Sequence, residues 1–308
     1  MQFRGVHPAT IAVSSFWGGS IPLKRRWRGN DPTYLGLAMN ENILDSKELE
    51  KSSMEPIKDG KFSFACHPDV PCFTKCCADL DLALTPYDVL RLKNRLGISS
   101  SDFLDRHTTD QVRHNCGLPV LMLKMKKDSK RTCPFLQPEG CTVYHDRPGA
   151  CRLYPVARAA KYVAGRVKEQ HFLIKEVHCL GFHEEKEWTD KEWLADQGLE
   201  LYNEMNGLWM AINQSSQENN TPPPVTEEKL KMYFMACYNL DAFKRFVFES
   251  GLLNLFQIDQ RTVSQIQTAE TELLKFAFRW LQFAIFGKKT MKPKPTALEA
   301  RKKAMGRR

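Results

Sequence analysis

Four cysteines fall within twelve residues of this chain, as Cys66-x5-Cys72-x3-Cys76-Cys77, and more follow as Cys133-x7-Cys141-x9-Cys151 and then Cys179. Buried single cysteines scatter along a sequence, as Cys116 and Cys237 do here; a cluster with two adjacent members is not explained by packing. Nor is it the staple of a miniature scaffold, because 308 residues can bury a core without cross-links. The clustered thiols therefore have to be accounted for by disulfides or by metal ligation.

The compartment separates these two. The apolar stretch Thr10 to Leu23 holds two Gly, three Ser and a Pro, and the pair Arg25-Arg26 follows it rather than precedes it. That is not the layout of a secretory signal, so a cytoplasmic location is expected, where thiol pools keep cysteines reduced. Residues 1–55 read as a poorly ordered extension, with Met39 or Met54 as alternative starts. No run of 18 apolar residues occurs, so no transmembrane span is expected. The formal charge of +9 sits in the ends: Lys288 to Arg308 carries nine basic residues against one acid, and residues 1–30 carry five basic residues and no acid. The body between them is left at −4. Nucleic acid is accordingly not the expected partner: a basic body would suggest such a surface, whereas basic tails more often serve solubility or weak attraction to polyanions.

Metal ligation remains. Thiolates suit zinc or the iron of an iron–sulfur cluster. Eight clustered cysteines, Cys66, Cys72, Cys76, Cys77, Cys133, Cys141, Cys151 and Cys179, could form two four-sulfur sites, or one site with spare thiols. Neither paired C-x2-C knuckles nor a ferredoxin C-x2-C-x2-C run is present, so spacing leaves zinc and iron open. His67, beside Cys66, and His145, His171, His178 and His183 are further candidate ligands. Tyr144, Asp146, Arg147, Arg152 and Tyr154 lie among the ligand cysteines, where an arginine would offset thiolate charge.

Several of these stretches occur together in a known family. Phe64-Ala65-Cys66 through Cys76-Cys77, Leu84-Thr85-x-x-Asp88-x-x-Arg91-Leu92, Cys133-Pro134-Phe135-Leu136, and Gly140-Cys141-Thr142-Val143-Tyr144-x-x-Arg147-Pro148-x-x-Cys151-Arg152-x-Tyr154-Pro155 resemble the YkgJ-type cysteine-cluster family. That family is described as zinc- or iron-chelating, with a CxxCxxCC signature, and the resemblance implies metal binding over about residues 61–182. The gaps in the first cluster are wider here than in the signature. Flagellin lysine N-methylases are similar in the cysteine cluster, which implies an alternative: an iron–sulfur enzyme of redox or protein-lysine methyl-transfer chemistry. The 17 glycines nowhere form G-x-G-x-x-G or a P-loop, so no nucleotide or S-adenosylmethionine motif supports that alternative. A closed four-cysteine site would argue for structure, and an open coordination position for chemistry.

The expected fold is α+β: a small, loop-rich metal module with short strands over 61–182, then a mainly helical region over 186–286 and a basic disordered tail over 288–308. Thr85 as cap, Pro86, Asp88 in the first turn and Gly97 predict one helix, and Phe103 and Leu104 face inward from a second that starts at Ser100 or Ser101. Short strands are expected over 120–125, 141–144, 152–156 and 170–177. Trp188, Trp193, Leu194, Leu199, Leu201 and Tyr202 recur at helix spacing up to Asn213, and Gln214 to Val225 reads as a linker. Helices over about 226–249 and 262–286 complete the chain, the last with a broad apolar surface suited to a core or to a protein partner.

Overall fold

The computed structural model describes residues 54–109, 113–115, 118–163, 166–215 and 226–299. The first expected helix, α1 (Pro86–Leu96), forms for the local reasons its sequence carries. Thr85 stays extended and its hydroxyl accepts the Asp88 amide, while the Asp88 carboxylate accepts the Thr85 amide at 2.8 Å. Gly97 ends the helix in the left-handed region at φ 64°. Each contact satisfies backbone groups that a helix end leaves unpaired. Helix α2 (Ser100–His107) follows, capped by Ser99, and buries Phe103 and Leu104.

The strands are short and antiparallel. β1 (Met54–Pro56), β2 (Lys61–Ser63), β3 (Ala83–Leu84), β4 (Arg113–Asn115), β5 (Leu118–Met122), β6 (Leu136–Gln137), β7 (Gly140–Cys141), β8 (Val156–Val163), β9 (Arg166–Ile174) and β10 (Glu187–Thr189) pair as β1-β9-β8, β10-β2, β3-β5-β4 and β6-β7. Four expectations shift, among them the strand over 170–177, which runs instead from Arg166 to Ile174 as β9. The strand over 120–125 begins at Leu118 and ends at Met122, buried throughout between two neighbours. The strand over 141–144 stops at Cys141, and the chain turns into a 3-10 turn at Tyr144–Asp146. The strand over 152–156 is instead a short helix, α3 (Gly149–Leu153), because Asp88 takes the Gly149 amide at 2.8 Å and starts a helical turn there; β8 begins only at Val156.

The second half is helical: α4 (Asp190–Asp196), α5 (Glu200–Ser215), α6 (Glu227–Tyr238), α7 (Leu240–Glu249), α8 (Leu252–Leu255), α9 (Gln260–Thr268) and α10 (Glu270–Phe286). Trp188, expected on a helix, lies on β10 opposite Phe62. The helix expected over 226–249 is two, broken at Asn239, whose backbone is non-helical and whose side chain caps α7 by accepting the Ala242 amide. The helix expected over 262–286 is likewise two, parted at the extended Ala269, and the first of them starts at Gln260 on an Asp259 cap.

One apolar core joins the two halves, with Leu84, Leu92, Phe103 and Leu121 packed in the same cluster as Trp209, Tyr233, Phe243, Phe276 and Trp280. The apolar surface of α10 is thus core. A smaller cluster of Phe62, Phe64, Val156, Leu173 and Trp193 lies under the cysteine loops. The first part of the basic tail is tied to α8: Lys294 donates its amide to the Leu255 carbonyl at 2.9 Å, and the Gln257 amide donates to Lys292 at 2.8 Å. Residues 1–53, most of the expected linker, and 300–308 lie outside the described residues. Among the described residues no helix is long and apolar enough to cross a membrane.

Candidate metal centre

The cysteines reach one another through four chain segments held by backbone bonds. Beyond β2, the Phe64 amide donates to the Lys186 carbonyl at 2.9 Å and the Ala65 amide to Gly181 at 3.1 Å. This lays the start of the first cluster against the loop carrying Cys179. The approach needs a glycine: a Cβ on Gly181 would lie 2.6 Å from the Ala65 carbonyl oxygen and 2.7 Å from the Phe64 ring. From Cys66 the chain winds through tight turns, with amide-to-carbonyl bonds from Phe73 to Val70 (2.8 Å), Lys75 to Cys72 (2.9 Å) and Cys77 to Thr74 (2.9 Å). The Cys72 sulfur accepts the Leu180 amide at 3.1 Å. The Cys133 amide donates to the Cys77 carbonyl at 2.7 Å, and the β6–β7 hairpin sets Cys141 opposite Leu136. Cys151 rides on α3, which Asp88 docks against α1.

The thiols feel one another's charge. Although Cys66 is exposed as a residue, partial desolvation of its thiol by the surrounding loops pushes it up to about 11, with Cys76, Cys72 and Cys179 acting the same way and Arg147 opposing them. Cys76 is pushed far up, first by its hydrogen bond with Cys77, then by burial and the charges of Cys77 and Glu176. Burial also raises Cys151, with Cys133, Cys76, Asp88 and Cys141 adding to it. Cys133 and Cys141 are raised chiefly by burial. Cys179 is raised by burial, opposed by the Tyr154 hydroxyl and the Gly181 amide. Cys66, Cys141, Cys151 and Cys179 each feel the charge of Cys76, which therefore lies within electrostatic reach of thiols from all four segments. Thiols whose ionisation is opposed by burial and by each other gain most from a cation that neutralises the set. Among the described residues no three His, Cys, Asp or Glu side chains surround one point closely enough to hold a metal ion. All nine described cysteines are free thiols.

Around them, Arg147 lies over the Tyr144 ring at 3.9 Å, donates to the Tyr144 carbonyl at 2.6 Å and to the Gln197 side chain, and lends its charge to Cys66 and Cys141. Arg152 acts differently: it donates to the backbone carbonyls of His145, Arg147 and Gln197 and so staples the turn before α3. Asp146 is bound by Arg91. His67 pairs with Glu184 at 3.3 Å, His178 with Glu176 at 3.5 Å, and His171 with Asp190 at 2.9 Å. His183 ends the turn Gly181–His183. Cys237 is buried beside Tyr233 in the helical core, away from the others, and Cys116 lies outside the described residues. Sequence reasoning missed Gly181, Glu176 and the docking of Gly149 on Asp88; only the step Cys179-Leu180-Gly181 carries a local signal, a glycine two residues after a candidate ligand.

A domain that draws thiols from four segments to one end of a small α+β module is a cysteine-cluster domain. Residues 65–180 match the model of the CxxCxxCC family, whose description is "Putative zinc- or iron-chelating domain". This is the segment on which the resemblance of the motifs rested. No curated protein and no solved structure matches the chain. The donor chemistry is that of the group the family description names: soft thiols, a guanidinium whose charge reaches Cys66 and Cys141, and a backbone amide on the Cys72 sulfur.

Proposed function

We propose that residues 61–182 bind metal through Cys66, Cys72, Cys76, Cys77, Cys133, Cys141, Cys151 and Cys179, as zinc or as an iron–sulfur cluster, in a cytoplasmic protein whose helical half is the scaffold. What supports this reading is the joining of cysteine-bearing segments by backbone amides, Cys133 to the Cys77 carbonyl at 2.7 Å and Leu180 to the Cys72 sulfur at 3.1 Å, in a stretch whose described cysteines are all free. Bound thiolates exclude competing protons, so loading releases protons and adds its free energy to the folding of the loops. A bound metal would have to draw these sulfurs to bonding distance, and its affinity would supply the free energy for that. Arg147 offsets part of the negative charge that such a thiolate set carries. A protein partner of the helical half would meet Leu201 and Leu208, apolar side chains that the core leaves exposed on α5.

Anaerobic purification, elemental analysis and a visible spectrum on one sample test the reading. Iron with acid-labile sulfide and a broad visible band identifies a cluster. A colourless protein with stoichiometric zinc identifies a zinc site. A folded protein that holds neither overturns the proposal.

A further inference from the structure

Nine basic residues and one acid lie between Lys288 and Arg308, yet the first part of this stretch is strapped onto the helical half. The Thr290 hydroxyl donates to the Arg279 carbonyl on α10 at 2.7 Å, the Gln257 amide to the Lys292 carbonyl at 2.8 Å, and the Lys294 amide to the Leu255 carbonyl on α8 at 2.9 Å. Phe256 and Pro293 form an antiparallel bridge between the last two bonds. The strap thereby holds Lys289, Lys292 and Lys294 on a stretch that spans at most about 20 Å. Lys289 and Lys292 are exposed, and Lys294 is partly so. Other lysines are matched, Lys93 by Glu270 at 2.6 Å, Lys231 by Glu227 at 2.7 Å and Lys275 by Glu204 at 2.7 Å. Among the described residues Lys289, Lys292 and Lys294 have no carboxylate within ion-pair distance. Like charges held this close repel one another, and an anionic partner removes that repulsion. One helical turn on, the Leu298 amide donates to the Lys294 carbonyl at 3.2 Å, so Leu298 shares a face with Lys294, and it is 44% exposed.

Two features choose among polyanions. Among the described residues the one exposed large aromatic side chain is Tyr144, which belongs to the cysteine loops, so no such ring stands beside the lysines for nucleic-acid bases to stack on. An exposed leucine beside lysines suits instead the headgroup layer of an anionic bilayer, which attracts cations to its surface and takes an apolar side chain beneath them. We infer that the strap over 288–298 is a docking surface for an anionic phospholipid membrane: Lys289, Lys292 and Lys294 meet the lipid phosphates and Leu298 enters the headgroup layer. The net negative body between the two basic ends is repelled by the same membrane, which orients the molecule strap first. This surface is independent of the metal centre.

The test follows sedimentation of the full-length chain with vesicles of phosphatidylcholine alone or with one third phosphatidylserine, over a range of salt. Its comparison is the triple variant Lys289→Gln, Lys292→Gln, Lys294→Gln. The strap is held by backbone bonds and these side chains reach solvent, so the thermal midpoint of the triple variant is expected to match the parent. The parent is expected to bind the anionic vesicles, not the neutral ones, and less as salt rises. The triple variant is expected to bind them on the order of a hundredfold more weakly, about fivefold for each lysine. Leu298→Ser keeps every charge and is expected to weaken binding on the order of tenfold. Equal binding by the parent and the triple variant overturns the inference, and so does equal binding of the parent to neutral and anionic vesicles. A parent that binds single-stranded RNA but not anionic vesicles at the same salt identifies a nucleic-acid surface and overturns it as well.

Discussion

The thiol end and the helical end of this molecule are held by different forces. In the helices, Phe243 and Phe246 lie 5.4 and 5.3 Å from the Trp280 ring, and the Trp209 indole donates to the Tyr233 hydroxyl at 2.7 Å inside the same core. Along the loop from Cys66 to Cys77 only Val70 and Cys72 are buried, and the hairpin that presents Cys141 has strands of two residues. Apolar burial drives the first region and does little for the second. The second is kept in shape by short backbone bonds and by its attachment to the first through Asp88. An end that is positioned but weakly driven is where the free energy of a bound metal changes structure most.

The sharpest way to break this contrast is to damage the core that both regions share. Trp280→Ala removes a fully buried side chain and is expected to cost about 3–5 kcal/mol in denaturant unfolding, lowering the midpoint of both halves together whether or not metal is bound. A smaller loss confined to the helices would show that the two regions do not depend on one core. Gly181→Ala tests the opposite side. A methyl 2.6 Å from the Ala65 carbonyl has no flexible side chain to displace, so the strain is expected to cost about 1–3 kcal/mol. Its signature is local: faster proteolysis between Cys66 and Cys77 and weaker metal retention, with the near-UV spectrum of the helical aromatics unchanged.

What sequence reasoning could reach divides along the same line. The helix from Pro86 to Leu96 was legible because Thr85, Asp88 and Gly97 act within a few residues of where they stand, and the cysteine-rich stretch stood out because its motifs coincide with the matched residues 65–180. The break at Asn239 was missed because the apolar pattern runs straight through Tyr238 and Leu240 and masks a local signal, the Asn239 side chain that caps the Ala242 amide. The strand expected across Arg152 failed because the second oxygen of Asp88 reaches Gly149, 61 residues away, and turns that stretch helical. Gly181 carries no message until Ala65 lies against it. Long-range approaches of this kind set the site, and spacing along the chain does not contain them.

The smallest expected effect concerns pH. The Cys66 thiol has its ordinary value of 9.0 raised to about 11 in the folded protein, so the fold holds this proton more tightly than the unfolded chain does. Its contribution to stability is therefore fully present below pH 9 and is lost as pH rises through about 11. Cys133, Cys141 and Cys179, raised in the same direction, add to the loss. In the helical core Cys237, Tyr233 and Tyr238 are also raised by burial, but they are not among the clustered thiols and are expected to titrate alike with and without metal. The comparison that isolates the thiol end is accordingly metal-free against metal-loaded protein. Metal-free protein is expected to lose hydrogen-exchange protection around Cys66 to Cys77 above pH 9, after correction for the intrinsic exchange rate. Loaded protein, whose ligand thiols have already given up their protons, is expected to keep that protection and to bind its metal more tightly as pH rises. Identical pH profiles for the two forms would mean that these thiols are not the ligands, and the contrast between the two ends would then rest on packing alone.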